Sequence, residues 1–214
     1  MSPLPITLAC GNYDRTRPLI NGIVQVEGAE VDYRIMGVGP MLAGAARGEF
    51  DVVEHSLSTV VMQHGPDSPY VPLAVFPSRV FRQNGIYVRA DSQIESPSQM
   101  RGWKVGISGY TVTGMVWIRG MLADCYDLPI DSVTYVNGGL DTPGAPPLRG
   151  AVPPAGIVVE DVKEGATLSQ LLCNGEIDAI YSLHTPHAIF QPDSPIRRLF
   201  ANVRAEERRY FEST

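Results

Sequence analysis

Cysteine is scarce. Cys10, Cys125 and Cys173 are the three in a chain of 214 residues. They cannot all pair internally and none has metal-ligand spacing, which argues against a disulfide scaffold or a zinc module. No apolar run approaches the roughly 18 residues of a membrane helix. The first residues lack the basic start of an export signal, and Pro3 and Pro5 interrupt the apolar stretch before Cys10. The expected location is therefore cytoplasmic, with no membrane partner. Basic charge is also short. Lys plus Arg number 17 against 23 Asp plus Glu, a net −6, which argues against nucleic acid as the main partner. No phosphate-cradling glycine loop, nucleotide fingerprint or zinc motif is present.

What remains is an ordinary globular composition rich in turns. The chain is 44% hydrophobic, with 21 Gly and 18 Pro. Its length suits one large domain or two small ones. Ile6–Cys10, Glu30–Ile35, residues 50–55 and Val71–Phe76 read as strands, with helices over residues 39–48 and 57–64 between them. A second series begins near Asn84. It has strands at residues 84–88, 103–107, 133–136 and 179–181, and helices at residues 111–124 and 167–174. Residues 137–154 read as a loop, Pro-rich from Thr142 to Pro154. Met115, Trp117 and Met121 lie at helical spacing and read as core. Strand–helix alternation implies an α/β fold with mostly parallel sheets.

One pattern occurs twice. Ala46-Arg47-Gly48-Glu49-Phe50-Asp51-Val52 and Cys173-Asn174-Gly175-Glu176-Ile177-Asp178-Ala179 each read as a helix end, a glycine stop and a strand. Glycine supplies the positive φ that closes the helix. Two lobes built from such units would form a cleft at their strand ends, where open α/β sheets bind ligands.

With this pattern and a crossover near residue 84, the chain resembles type 2 periplasmic binding proteins. More specifically it resembles the 4,5-dihydroxyphthalate decarboxylase family. The segments that carry the likeness are Cys10-Gly11-Asn12-Tyr13-Asp14-Arg15-Thr16, Glu49 to Ser58, Phe76-Pro77-Ser78-Arg79-Val80-Phe81-Arg82, Ile86 to Arg89, Val116 to Leu122 and Gly138-Gly139-Leu140. The resemblance implies a two-lobe fold with a ligand cleft between lobes: 1–83 as the first lobe, 84–190 as the second, and 191–214 as a segment returning toward the first. Family members are longer, by about a third or more on two-lobe domain sizes, so the first lobe is expected to be incomplete. An open sheet edge there would invite a second subunit, making a homo-oligomer one expectation. The likeness also implies an arginine in place of His184, a departure that bears on the substrate.

The implied activity is removal of CO2 from a dihydroxylated aromatic dicarboxylate during phthalate degradation. A non-catalytic solute-binding protein for a small organic anion is the alternative, since one fold serves both. Decarboxylation needs cations for the carboxylates, an acid for the ring carbon and an acceptor near the phenols. Arg79 and Arg82 are the expected carboxylate clamps, with Arg15 assisting, because guanidinium binds carboxylate through two bonds. Asp14 and Glu54 are candidate phenol acceptors, and His184 the candidate acid. Ser56 and Ser58, and Tyr110, Thr111 and Thr113, lie at helix N-termini, where amides attract anions. Plainer readings stand beside these: a turn role for Asp14, helix caps for Ser56, Ser58 and Thr111, and a loop histidine bonded to backbone for His184. No cofactor is expected. A divalent metal on Asp14, Glu54 and catechol oxygens would fit the chemistry, but no ligand spacing supports one.

Overall fold

A computed structural model describes residues 2–146 and 151–214. Residues 147–150 of the Pro-rich stretch lie outside the described residues. The chain divides into two compact units, one ending at Val80 and the other running Phe81–Thr214.

The first unit holds β1 (Leu4–Cys10), α1 (Arg17–Ile20), β2 (Ala29–Ile35), α2 (Val38–Ala46), β3 (Val52–Val53) and α3 (Leu57–Met62). Its strands form a three-stranded sheet in the order β2-β1-β3, with both pairs parallel. Its core is small: Ala9, Met41, Ala45 and Phe50, backed by Met36, Val53 and Tyr70. The expected strand Val71–Phe76 does not form. Val71, Leu73 and Val75 are 84%, 67% and 69% exposed. Pro72 has no N–H to give a ladder, and Pro77 closes the run. The strand expected over residues 50–55 shrinks to Val52–Val53, although the Glu54 amide still bonds the Ala9 carbonyl at 2.8 Å.

The second unit holds β4 (Ile86–Arg89), β5 (Lys104–Ile107), α4 (Thr113–Tyr126), β6 (Thr134–Asn137), β7 (Val158–Asp161), α5 (Leu168–Asn174), β8 (Ala179–Tyr181), β9 (Ile196–Arg198) and α6 (Val203–Ser213). They build a six-stranded sheet, β7-β6-β5-β8-β4-β9. β5, β6, β7 and β8 pair in parallel, and β4 runs antiparallel to β8 and β9. Both faces are covered. Strand alternation sends Ile86, Val88, Ala179 and Tyr181 to a cluster with Met115, Ile118 and Leu122 of α4. It sends Tyr87 and Ile180 to a second cluster with Leu168 and Leu172 of α5. Met115 and Met121 are core as expected, but Trp117 is 51% exposed, on the other side of α4. Residues 191–214, expected as a returning segment, carry β9 and α6 of this unit. α6 is tied to α4 by Tyr126, whose hydroxyl donates to Glu206 at 3.2 Å.

The repeated pattern has the same architecture both times. Gly48 and Gly175 adopt φ +71° and +74° just past α2 and α5. Phe50 and Ile177 then enter the cores. Asp51 accepts the Thr7 amide of β1 at 2.8 Å, and Asp178 accepts the Lys104 amide of β5 at 2.8 Å. Each Asp amide returns a bond to the same residue's carbonyl, at 3.0 and 2.9 Å. The motif is thus a device that ends a helix and docks the next strand parallel to its neighbour.

Candidate functional site

In the first unit the parallel pairing of β1 with β3 brings Glu54 level with the end of β1. One Glu54 oxygen, Oε2, accepts the Gly11 amide at 2.9 Å and the Cys10 thiol at 3.4 Å. The other, Oε1, accepts the Tyr13 hydroxyl at 2.7 Å. Tyr33 donates its hydroxyl to the Gly11 carbonyl at 3.1 Å. The Tyr13 ring lies so close to Gly11 that a Cβ there would sit 2.7 Å from it, so only glycine leaves the ring in place.

Electrostatics follows from this packing. Burial pushes the Tyr13 hydroxyl up to about 12, helped by its bond to Glu54 and that carboxylate's charge, while a bond from Ser78 pulls the other way. Tyr33 also rises to about 12, first through burial and then through its bond to Cys10. Burial likewise raises the Cys10 thiol. All three groups therefore stay protonated near neutrality and act as donors.

Around this cluster sits the charged part of the loop. The Arg15 guanidinium lies 5.5 Å from the Tyr13 ring centroid and donates to the Pro77 carbonyl. Asp14 accepts the Arg15 amide at 2.9 Å and stands 3.7 Å from its guanidinium, with its own side chain 93% exposed. Arg79 is exposed and donates Nε to the Phe76 carbonyl at 3.3 Å. Ser56 occupies the cap position of α3, and its hydroxyl sits 3.1 Å from that of Ser58.

The second unit carries the other candidates. Arg82 is half-buried, and burial pushes its guanidinium below its usual value. His184 is exposed two residues beyond Ser182, whose hydroxyl accepts the His184 amide at 3.0 Å. The Ser182 amide bonds the Gly85 carbonyl at 2.8 Å, so Arg82 and His184 flank the same end of the β4–β8 pair. No bond joins them among the described residues. Tyr110 and Thr111 are buried and Thr113 opens α4. Val112, not Thr111, is the cap residue of that helix and offers no oxygen. Asn137, buried at the end of β6, accepts the Gly109 amide at 3.0 Å and donates to Asp161 at 2.8 Å.

The structure thus gathers Asp14, Arg15 and Glu54 around Tyr13, Ser78 and the Pro77 carbonyl, and places Tyr110 and Thr111 in the loop that leads into α4, with Thr113 as its first helical residue. Tyr13, Cys10 and Asn137 are partners that sequence reasoning missed. Tyr13 lies inside the Cys10–Thr16 segment already singled out, but its bond to Glu54 spans 41 residues. Among the described residues, no three His, Cys, Asp or Glu side chains are grouped so as to hold a metal ion, and no helix is long and apolar enough to cross a membrane.

No family model matches the chain. Among curated proteins, a 4,5-dihydroxyphthalate decarboxylase from Comamonas testosteroni is 34% identical over 214 residues, 99% of this chain and 65% of that protein. A 4,5-dihydroxyphthalate decarboxylase from Pseudomonas putida is 35% identical over 202 residues, 94% of this chain and 78% of that one. The chain thus spans less than two thirds of the Comamonas protein's own length. Among solved structures, the periplasmic aliphatic sulphonate binding protein SsuA from Escherichia coli superposes with a TM-score of 0.54 at 13% identity, covering 100% of this chain and 64% of that one. That likeness concerns the fold alone.

Proposed function

This chain belongs to the 4,5-dihydroxyphthalate decarboxylase family, and on that premise we propose that it removes CO2 from a dihydroxylated aromatic carboxylate such as 4,5-dihydroxyphthalate, in the breakdown of phthalate-type compounds. The observation that carries this reading is identity of 35% across 94% of the chain with a decarboxylase. A small aromatic carboxylate is accordingly the partner.

The chemistry sets the roles. A ring hydroxyl para to the leaving carboxylate releases electron density into the ring. A proton adds at the carbon bearing the carboxylate. The carbon–carbon bond then breaks, its electrons restore aromaticity, and CO2 leaves. Arg79 and Arg15 are the guanidinium groups assigned to the carboxylates. Both are exposed beyond the sheet of the first unit, and a guanidinium fork pairs both oxygens. Asp14, exposed beside Arg15, is assigned as the phenol acceptor. Glu54 already accepts three protein donors, so its assigned role is to hold Tyr13 and the Gly11 turn rather than to take a proton from substrate. His184 is assigned as the source of the ring proton.

Incubating the purified chain with 4,5-dihydroxyphthalate should release CO2 and yield 3,4-dihydroxybenzoate. Arg79→Ala should lower kcat/KM by well over tenfold, since losing a charge-assisted contact is worth about 2 kcal/mol. Tight binding of the substrate without any CO2 would instead favour the solute-binding reading.

A further inference from the structure

Resting on the decarboxylase reading and on the expectation that the Tyr110–Thr113 segment attracts an anion, we propose that Arg119 is the positioning residue of the loop before α4, a buried cation with no carboxylate beside it among the described residues, which shapes the loop and makes it receptive to an organic carboxylate.

Arg119 lies in the middle of α4 and is 5% exposed. A guanidinium so buried normally faces a carboxylate, and here it faces phenols. Its carbon stands 4.0 Å from the Tyr110 ring centroid and 5.5 Å from that of Tyr135. Tyr181, buried in the same cluster, also interacts with it electrostatically. Burial raises the Tyr135 and Tyr181 hydroxyls, so neither supplies a counter-charge. Nη2 donates to the Tyr110 carbonyl at 2.8 Å, while Nη1 is buried with no hydrogen-bond partner among the described residues. Ser108 Oγ, just before the loop, is also buried without a hydrogen-bond partner among the described residues.

The loop is therefore gripped at two points. Asn137 fixes the Gly109 amide and Arg119 fixes the Tyr110 carbonyl. By taking that carbonyl, the guanidinium turns a negative dipole end inward, toward the core. Its charge, screened by ring faces rather than by an acid, acts through a low-dielectric interior on the start of α4. The cap residue there, Val112, provides no side-chain oxygen. Positive potential at a helix start backed by a buried cation suits a carboxylate, and it gives no advantage to a neutral diphenol of the same shape.

The test compares wild type with Arg119→Met and Arg119→Lys, using phthalate and catechol as probes on the whole chain. Backbone amide shifts of residues 109–114 are followed by NMR during titration, with thermal melts alongside. Arg119→Met should weaken phthalate binding read at those amides by tenfold or more, leave catechol binding within twofold and not lower Tm, because a buried charge without a counter-ion is removed. Arg119→Lys should recover part of the phthalate affinity. Unchanged phthalate affinity in a folded Arg119→Met protein would overturn the proposal, as would parallel loss of phthalate, catechol and Tm, the mark of a merely structural residue. The decarboxylase reading fails separately: phthalate would bind and depend on Arg119 while dihydroxyphthalate released no CO2.

Discussion

The two units start from the same device and reach different ends. Gly48 and Gly175 stop a helix in the same way, and Asp51 and Asp178 dock the next strand with the same pair of bonds. In the second unit that strand enters a six-stranded sheet with apolar clusters on both faces. In the first it enters a sheet of three, over a core of four buried side chains. Val61, Val71, Leu73 and Val75 stay more than half exposed. Local pattern decides how a helix meets a strand. How much apolar surface is buried depends on how many strands gather, and that follows from pairing at long range. The first unit, with less buried, carries the clustered acid, phenols and guanidinium; binding machinery is commonly drawn from the less stable parts of a fold.

The comparison is broken most forcefully from the core. Leu172→Ala, at a fully buried position on α5, should cost the second unit about 2–5 kcal/mol, whereas Met41→Ala should cost about 2 kcal/mol, because so small a core collapses more readily around the gap. Denaturant melts followed by hydrogen exchange resolve the two, and amides of β1 should exchange faster than those of β5 in the wild type. Equal protection would erase the distinction.

Alkaline pH sharpens it. Tyr13 and Tyr33 of the first unit are raised to about 12, against about 10 in an unfolded chain. A raised value means the folded form holds its proton more tightly. The stability this contributes is complete below pH ~10 and disappears as pH climbs toward ~12. First-unit exchange protection should therefore fall across that window, with phenolate absorbance rising late. Glu54→Leu removes the carboxylate that helps raise Tyr13, so its titration should move down. A Tyr13 titration unmoved by that change would contradict the network.

The smallest effects are the most alike. Gly48→Ala and Gly175→Ala each force a side chain into positive φ, at a cost of about 1 kcal/mol. Gly175 should cost somewhat more, because a Cβ there would also meet Arg89 at 2.6 Å. Chemical denaturation of the two variants checks this.

What the sequence disclosed divides along the same line. The glycine stops, the α/β alternation and the strand Ala179–Tyr181 were legible because each is local. Val71–Phe76 misled because an apolar run signals burial, yet Pro72 cannot donate and, among the described residues, no strand takes the segment up. β7 and β9 went unread: one reads Val-Val-Glu-Asp at the sheet edge and the other has three residues, so their pairing rather than their composition makes them strands. α4 starts later than expected, since Thr111 is buried rather than capping and Val112 takes its place. At the candidate site, a carboxylate after β3 and a charged loop after β1 were visible. That Tyr13 meets Glu54, or that Arg119 grips Tyr110, required the tertiary packing.

The central claim is best tested by running the reaction in D2O with 4,5-dihydroxyphthalate and analysing the product by mass spectrometry and NMR. The account predicts one CO2 per molecule of 3,4-dihydroxybenzoate formed, with a single deuterium on the ring carbon that lost its carboxylate. Substrate recovered intact from a folded chain that binds it would contradict that account.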